Sequence, residues 1–170
     1  MRILIMGGTR FIGVYLTKLL VAGGHEVVLF NRGKKAPPVE GITQIHGDRT
    51  DAAQLKEKLS SEQFDAVFDN NGRELSDTQP LAEIFQATVK HFVYVSSAGV
   101  YMKSDQMPHR EGDTVDPKSR HKGKFETELY LQQQGLPFTS IRPVYIYGPH
   151  NYNPLEGWFF DRIVRDRPIP

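Results

Sequence analysis

Residues 2–13 read RILIMGGTRFIG, a short apolar run that leads into a glycine-rich turn. The apolar run at residues 2–6 is typical of a β-strand that is buried on both faces. From Phe11 onward the apolar residues recur at helical spacing, and Gly23 and Gly24 end that pattern. Because backbone N–H groups at the start of a helix can hold a pyrophosphate, this strand-turn-helix order predicts a dinucleotide-binding turn.

The residues predicted to bind the dinucleotide in this turn are Gly7, Thr9, Arg10, Phe11, Ile12 and Gly13. Gly7 would make the tight turn, and Gly13 would allow the helix and the strand to pack closely. Arg10 stands where a glycine normally lets the backbone approach the phosphate. Its side chain therefore either swings out and adds a phosphate contact or fills the site. A tight turn without any ligand is the alternative to both.

Further along the chain, short apolar segments alternate with segments of helical periodicity. The predicted strands are residues 26–31, 42–46, 66–69, 91–96 and 138–142, and the predicted helices are residues 51–59, 80–87, 119–134 and 156–165. Such alternation predicts an α/β fold, a Rossmann-type doubly wound parallel sheet with helices on both faces. We expect residues 1–170 to form a Rossmann-type nucleotide-binding domain, an N-terminal fragment of a longer chain whose C-terminal substrate domain is largely absent.

Composition limits the classes of function. The 170-residue chain has a formal net charge of +1 and no cysteine. The lack of cysteine excludes disulfides, thiolate nucleophiles and cysteine metal sites, and no metal-ligand motif is present. A nearly neutral chain can hold nucleic acid only through a local basic patch. No apolar run is long enough to span a bilayer, so we expect a cytoplasmic protein without membrane contacts.

The end of the second predicted strand bears on the choice between NAD and NADP. Asn31 and Arg32 stand at this point, with Lys34 and Lys35 just beyond. An acidic residue here would bind a ribose 2′-hydroxyl, whereas an arginine accommodates a 2′-phosphate. The sequence therefore favours NADP over NAD, with a solvated basic loop as the alternative. Two further candidates for cofactor contacts, which could equally be turn residues, are Asp48 and Asn71.

Three motifs in the same order carry a resemblance to a known superfamily. They are the glycine turn, VSSAGVY at residues 95–101 and RPVYIYGP at residues 142–149. On these motifs the chain resembles the extended short-chain dehydrogenase/reductase superfamily, in its NAD-dependent epimerase/dehydratase branch. The resemblance implies a bound NAD(P) and proton transfer by a tyrosine, a lysine four residues later and a nearby serine.

Longer runs carry a closer resemblance. They are GGTRFIG at residues 7–13, DPKSRHKGK at residues 116–124, SIRPVYIYGP at residues 140–149 and NYNP at residues 151–154. These runs are similar to the chloroplast stem-loop-binding proteins and their cyanobacterial relatives. The similarity implies binding of stem-loop RNA, with an endoribonuclease character, on a dehydrogenase-like scaffold. Because no transit peptide precedes the first strand, we expect a cyanobacterial member.

The catalytic residues of the superfamily are only partly matched. Ser97 aligns with the serine and Lys124 with the lysine, but the position four residues before Lys124 is Arg120 instead of tyrosine. Arginine stays protonated in proteins and is a poor general base. We therefore expect the usual hydride-transfer or epimerase chemistry to be absent or severely impaired. Tyr101 or Tyr145 could substitute for the missing phenol, although each also suits a packing role.

A dense basic cluster surrounds the missing tyrosine. It comprises Lys118, Arg120, His121, Lys122 and Lys124. Helical spacing would place Arg120 and Lys124 on one face, which would open into the same cleft as the glycine turn. Cationic side chains there suit the phosphates of a nucleotide or of RNA, and His121 could act as acid or base in phosphodiester cleavage. A solvated helix face is the alternative.

Two further groups are weaker candidates. The long loop contains residues that could hold Mg²⁺ for RNA cleavage, although a solvated acidic loop suits them better: Asp105, His109, Glu111 and Asp113. The last predicted helix contains Trp158, Phe159 and Phe160, which could stack on bases but suit a buried helix face better.

The sequence thus leads to three hypotheses. The preferred one is an RNA-binding protein, with weak endoribonuclease activity, on a dinucleotide-binding scaffold that lacks the catalytic tyrosine. The alternative is an NAD(P)-dependent sugar-nucleotide epimerase, dehydratase or reductase with altered catalytic groups. The third is a scaffold that binds nucleotide only to support assembly. Uncovered sheet or helix surface would then allow the chain to associate with itself or with another chain.

Overall fold

Six parallel strands form one sheet in the computed structural model, which describes residues 1–151 and 155–169. The strands are β1 (Arg2–Met6), β2 (Glu26–Asn31), β3 (Thr43–His46), β4 (Ala66–Asp69), β5 (His91–Val95) and β6 (Phe138–Ile141). Their order is β3-β2-β1-β4-β5-β6, and every neighbouring pair is parallel. The order switches direction beside β1, and ligands of such sheets bind where the strands end at the switch point. Tyr152, Asn153 and Pro154 of the last resemblance motif lie outside the described residues.

Five α-helices occur in the described residues, and the first four cover both faces of this sheet. They are α1 (Ile12–Ala22), α2 (Ala52–Leu59), α3 (Leu75–Phe85), α4 (Lys122–Gln133) and α5 (Leu155–Val164). Leu16 and Leu20 of α1 pack on one face, whereas Leu55 of α2, Leu81 of α3 and Leu131 of α4 pack on the other. The predicted Rossmann-type doubly wound fold is therefore confirmed. Across residues 1–151 and 155–169, no helix has the length and apolarity needed to cross a membrane.

The first strand shows why the strand sequences are apolar without alternation. Ile3 and Ile5 belong to the cluster under α1, while Leu4 and Met6 belong to the cluster under α2, α3 and α4. Each of these side chains is 1% exposed or less. A strand that is covered on both faces has no polar side, so apolar residues occupy successive positions.

The third helix begins earlier than predicted. The sequence predicted a helix over residues 80–87, which would start at Pro80. In the structure α3 starts at Leu75, and Pro80 lies inside it. Glu74 and Asp77 form a capping box at its N-terminus. These paired side-chain bonds satisfy the first backbone N–H groups, so the start of the helix is set here and not at the proline.

The fourth helix begins later than predicted. It starts at Lys122, with His121 as its N-cap, and not at Ser119. The Ser119 hydroxyl donates to Gly99 O at 2.6 Å and accepts from the His121 N–H, which holds this segment in a turn. Arg120 therefore precedes the helix. The prediction that Arg120 shares a helical face with Lys124 is wrong.

The aromatic residues of α5 are more exposed than expected. Trp158, Phe159 and Phe160 are 44%, 47% and 65% exposed, although the sequence favoured a buried helix face. The Trp158 and Phe159 rings meet edge to face, with centroids 4.9 Å apart, and the Arg162 guanidinium lies over the indole. The expectation of burial is wrong because none of the described elements covers this side of the helix.

Truncation of Leu81 tests the packing of α3 on the sheet. Leu81 is 0% exposed, so Leu81→Ala should lower the free energy of unfolding by about 2–5 kcal/mol, because apolar burial is reduced and a cavity remains. Leu19→Ala in α1 is the matched control, because Leu19 is 70% exposed and its truncation should cost less than about 0.5 kcal/mol. Urea denaturation followed by circular dichroism measures both. Equal losses of stability in the two variants would contradict the packing described.

Candidate functional site

The glycine turn between β1 and α1 has the shape of a phosphate-binding loop. Gly7 has a φ of 99°, a conformation that favours glycine, and its N–H donates to Phe30 O at 2.8 Å. A Cβ on Gly13 would lie 2.9 Å from the Gly8 Cα. Because Gly13 has no Cβ, the start of α1 can lie directly against the turn.

The N-terminus of α1 carries a partial positive charge that could attract an anion. Its first turn contains no acidic residue, and no side chain caps it, so the protein does not neutralise the partial positive charge there. Phe11, the N-cap, has a φ of 42°, a strained conformation of the kind that occurs in functional turns. These features fit a dinucleotide, whose pyrophosphate the backbone N–H groups of Phe11 and Ile12 would hold.

Arg10 points to solvent at the rim of this turn. The residue is exposed. It lines a cavity of about 220 Å³ together with Thr9, Phe11, Val14, Lys35, His150 and Asn151. Arg10 and Lys35 place two cations beside the phosphate turn.

The residues expected at the adenosine end are partly engaged within the protein. Asn31 Oδ1 accepts from the Gly33 N–H at 2.8 Å. Asp48 Oδ1 accepts from the Thr50 N–H at 3.0 Å and from the Thr50 hydroxyl at 2.8 Å. These hydrogen bonds hold the pKa of Asp48 below its ordinary value. Arg32 is exposed, so its guanidinium is accessible to a ligand.

A buried ion pair links three elements below the cleft. Arg49, which follows β3, donates to the two carboxylate oxygens of Asp69 at 2.6 and 3.0 Å. It also donates to Asp77 O in α3 at 2.7 Å and to Asn71 Oδ1. Burial alone would raise the pKa of the fully buried Asp69, but the charge and hydrogen bonds of Arg49 outweigh that effect and lower it.

The sequence reasoning missed Arg49. The available signal was an arginine three residues after the end of a predicted strand. Its partner Asp69 is 20 residues away, so no local pattern identifies the pair.

Two residues after β4 connect the glycine turn with α4. A Cβ on Gly7 would lie 3.4 Å from Asn71 Nδ2. The next residue, Gly72, accepts from Lys124 Nζ at 2.8 Å, and this ammonium also donates to Val95 O at 2.6 Å. Lys124 thus joins the ends of β4 and β5 from below the cleft, and burial lowers its pKa.

Ser97, Arg120 and His121 gather around Gly99. The Ser97 Oγ accepts from the Gly99 N–H at 3.1 Å, and a Cβ on Gly99 would lie 2.5 Å from His121 Cδ2. Arg120 Nε donates to His121 Nε2 at 3.1 Å, so this imidazole nitrogen carries no proton. Burial and the charges of Arg120 and Lys124 lower the pKa of His121, which keeps its ring neutral at pH 7.

The basic cluster therefore divides into two layers. Lys118, Arg120 and Lys122 are exposed, whereas His121 and Lys124 are partly buried. Within the described part of the chain, none of the three exposed cations forms an ion pair with a carboxylate. The outer layer is available to an anion from solvent, while the inner layer forms the floor of the cleft.

One buried tyrosine lies near Lys124, but no ligand can reach it. The Tyr94 hydroxyl donates to the Gly72 carbonyl at 3.3 Å, the same oxygen that accepts from Lys124. Tyr94 is 0% exposed, and burial raises its pKa. It therefore stays protonated beneath the cleft and does not replace the phenol that the superfamily uses.

The two tyrosines considered from the sequence lie elsewhere. Tyr101 belongs to a separate polar network, in which its hydroxyl accepts from Arg142 Nη1 at 2.7 Å. Arg142 Nε also donates to both carboxylate oxygens of Glu128. Tyr145 is 80% exposed and forms none of the hydrogen bonds of Ser97 or Lys124 described here. Within the described residues, neither tyrosine hydroxyl hydrogen-bonds to Ser97 or Lys124.

The acidic loop provides little for a metal ion. The His109 Nδ1 lies 3.2 Å from Asp113 Oδ2, and Glu111 contributes only its carbonyl oxygen, to Arg142. Asp105 lines an open surface depression with His109. Apart from residues 152–154 and 170, which the structure does not describe, no group of three or more His, Asp or Glu side chains could hold a metal.

Comparisons with known proteins agree with this architecture. The profile of the NAD dependent epimerase/dehydratase family matches residues 3–166. The chloroplast stem-loop binding protein of 41 kDa b from Arabidopsis thaliana is 54% identical over 99% of this chain and 48% of its own length. The UDP-glucose 4-epimerase of Neisseria gonorrhoeae is 27% identical over 83% of this chain and 51% of its own length. The chain thus spans about half the length of these relatives.

A solved structure shows the same fold. The Bordetella bronchiseptica enzyme WbmG, determined in complex with NAD and UDP, matches with a TM-score of 0.85 and 22% identity. The match covers 99% of this chain and 61% of that enzyme.

Asp69→Asn tests the buried ion pair. The substitution leaves the Arg49 charge buried without its carboxylate and should lower the free energy of unfolding at pH 7 by about 3–5 kcal/mol. The folded pKa of Asp69 is depressed, so its stabilisation is present above the unfolded pKa of about 4 and disappears as the pH falls through the folded value. Chemical denaturation at neutral and acidic pH should therefore show a weaker acid dependence in the variant.

Asp161→Asn is the matched control for this experiment. It removes an exposed ion pair with Arg165, in which the side chains are 47% and 58% exposed, and should cost less than about 1 kcal/mol. A loss of stability in Asp69→Asn no larger than in this control would contradict the proposed role of the pair.

Proposed function

This chain belongs to the NAD dependent epimerase/dehydratase family, and we propose that it uses the family's nucleotide-binding domain to bind RNA instead of catalysing a redox reaction. The observation that carries the proposal is Arg120. It stands where the resemblance calls for a proton-transferring tyrosine, and its Nε donates to His121. A guanidinium binds phosphate oxygens well and is a poor general base. The cleft is thus suited to holding anions.

The exposed cations of the basic cluster support the proposal that the bound anion is RNA. Lys118, Arg120 and Lys122 lie within five residues and are open to solvent without carboxylate partners among the described residues. Such groups bind the phosphate backbone of a nucleic acid. The Arabidopsis relative, 54% identical, is named as a stem-loop binding protein, which supports stem-loop RNA as the partner.

Removal of two exposed cations tests RNA binding. Arg120→Ala combined with Lys122→Ala should lower the affinity for stem-loop RNA by about the same factor for different RNA sequences, because phosphate contacts carry no base specificity. The slope of log K against log salt should become shallower by about 1 for each phosphate group that the variant no longer binds. Fluorescence anisotropy over a range of salt concentrations measures both effects.

The matched control removes the same amount of charge at the same spacing. Lys56→Ala combined with Lys58→Ala alters the last turn of α2, which is not part of the basic cluster, and should leave the RNA affinity within about twofold, as expected for charges that do not touch a phosphate. If the Arg120 and Lys122 double variant has the same RNA affinity and salt dependence as this control, the basic segment, residues 118–124 with the basic cluster, does not bind RNA.

We also propose weak endoribonucleolytic cleavage with His121 as the general base. When the Arg120 N–H turns from His121 Nε2 to the phosphate, that nitrogen can take the proton of a ribose 2′-hydroxyl, whose oxygen then attacks the adjacent phosphorus. The bond to the 5′-oxygen breaks, and that oxygen takes a proton from water, so the products carry a 2′,3′-cyclic phosphate and a 5′-hydroxyl. Arg120 and Lys124 would neutralise the charge on the phosphate. Mg²⁺ would assist as an ion carried by the RNA.

His121→Gln separates cleavage from binding. Glutamine can still accept the hydrogen bond from Arg120 but cannot take a proton, so cleavage should fall by about 100-fold while RNA affinity stays within about twofold. Gel analysis of labelled RNA, with and without a chelator, measures the rate and its Mg²⁺ dependence. Unchanged cleavage in this variant would show that His121 is not the base.

We propose that the glycine turn binds a dinucleotide, with NADP preferred over NAD. Arg32 is exposed at the end of β2, and no acidic residue stands there to bind a ribose 2′-hydroxyl. Arg10 and Lys35 line the adjacent cavity. The bound nicotinamide would supply a hydride acceptor or donor, but the position four residues before Lys124 holds Arg120 instead of the tyrosine that would move the accompanying proton.

Sugar-nucleotide epimerisation or reduction is the second candidate function. Ser97 and Lys124 are retained, and the Neisseria relative is named as a UDP-glucose 4-epimerase. Under this hypothesis Arg120→Tyr should restore the missing acid–base group and raise turnover of a nucleotide sugar by at least about 100-fold, as measured by coupled spectrophotometric assay. No gain in turnover would count against this candidate.

Association with a copy of itself or with another chain is a further proposal. Trp158, Phe159 and Phe160 expose aromatic surface on α5. Within the described residues, β6 pairs only with β5. Exposed apolar surface and an unpaired strand edge both favour association.

A further inference from the structure

Residues 71 and 72 connect the phosphate turn with the basic segment at residues 118–124 through direct contacts. Gly7 lies against Asn71, and the neighbouring Gly72 accepts from Lys124 Nζ. We propose that a dinucleotide on the turn and RNA on the basic segment exclude each other, so that the dinucleotide regulates RNA binding. This inference rests on the RNA binding proposed above.

The first reason is shared space. A dinucleotide at a Rossmann switch point extends across the crevice from its pyrophosphate, here from the start of α1 past the ends of β4 and β5. Lys124 bridges those two strand ends, and Ser97 and His121 meet around Gly99 directly after β5. An RNA phosphate that contacts Arg120 and reaches the imidazole would occupy the place of the second nucleotide.

The second reason is shared charge. The charge of Arg49 is matched by Asp69, so that pair contributes little net field to the cleft. Arg120 and Lys124 form no ion pair among the described residues. These cations attract both the dinucleotide and RNA. The phosphates of one bound ligand therefore weaken the electrostatic attraction for the other.

The consequence is a reciprocal control. If the dinucleotide lowers the affinity for RNA, RNA must lower the affinity for the dinucleotide by the same factor. A chain without the redox phenol can therefore still use its dinucleotide turn, as a sensor that releases RNA when the cofactor is abundant.

A competition titration tests the proposal. Fluorescent stem-loop RNA is titrated with the full chain at fixed ionic strength and rising NADP⁺ or NAD⁺, with dinucleotide binding confirmed by calorimetry. Exclusion predicts that the apparent Kd for RNA rises in proportion to dinucleotide, to about tenfold weaker at ten times the Kd of the dinucleotide. NADP⁺ should act at lower concentrations than NAD⁺. An unchanged RNA affinity, or one that reaches a plateau, overturns exclusion, and so does a calorimetric result in which neither NADP⁺ nor NAD⁺ binds.

Two controls locate the effect. Gly13→Ala places a Cβ 2.9 Å from the Gly8 Cα and should abolish the dinucleotide response while RNA still binds, provided that circular dichroism shows a folded protein. Adenosine, which lacks phosphates, should leave RNA affinity unchanged at the same concentrations, and displacement of RNA by adenosine would overturn the proposal. If the protein does not bind RNA in buffer that contains no dinucleotide, the proposed function itself is wrong. Normal RNA binding that ignores a bound dinucleotide defeats only the exclusion.

Discussion

Arg49 and Asp69 form the buried ion pair on which the geometry of the cleft depends. The guanidinium reaches from the end of β3 to the end of β4 and on to the backbone of α3. A charge left buried without its partner is strongly unfavourable, so these elements must keep their mutual positions. Arg49 also donates to Asn71, which lies against the glycine turn, and the next residue receives Lys124. The pair thereby fixes both ends of the site through one short segment.

On this fixed frame, a single position changes the chemistry of the cleft. Ser97 and Lys124 match the superfamily pattern in sequence, but the position expected to hold the tyrosine holds Arg120, which brings a permanent positive charge. The added charge also acts on its neighbour, since burial and the charge of Arg120 lower the pKa of His121. The result is a neutral imidazole beside a cation that favours phosphate. This arrangement is the basis of our proposal that the scaffold binds and cleaves RNA instead of catalysing a redox reaction.

The sequence predicted the features that depend on local pattern. Strand positions followed from apolar runs, and the turn followed from Gly7 and Gly13, whose roles are set by backbone conformation and close packing. The start of α3 was wrong although its signal is local, because the Glu74–Asp77 capping box was overlooked in favour of Pro80. The start of α4 was wrong because a bond from Ser119 to the Gly99 carbonyl, 20 residues away, decides it. The engagement of Lys124 with the carbonyls of Gly72 and Val95 joins residues 52 and 29 positions apart. No periodicity contains that information, and the same holds for Arg49.

In our proposal, RNA binds to the exposed cations of the basic segment, which are Lys118, Arg120 and Lys122. Lysine footprinting by mass spectrometry tests this binding most directly, because acylation reports which ammonium groups a bound ligand covers. With saturating stem-loop RNA, Lys118 and Lys122 should become protected, while Lys56 and Lys58 on α2 should react as in the free protein. Equal acylation of Lys118 and Lys122 in the free and RNA-saturated protein would contradict the claim.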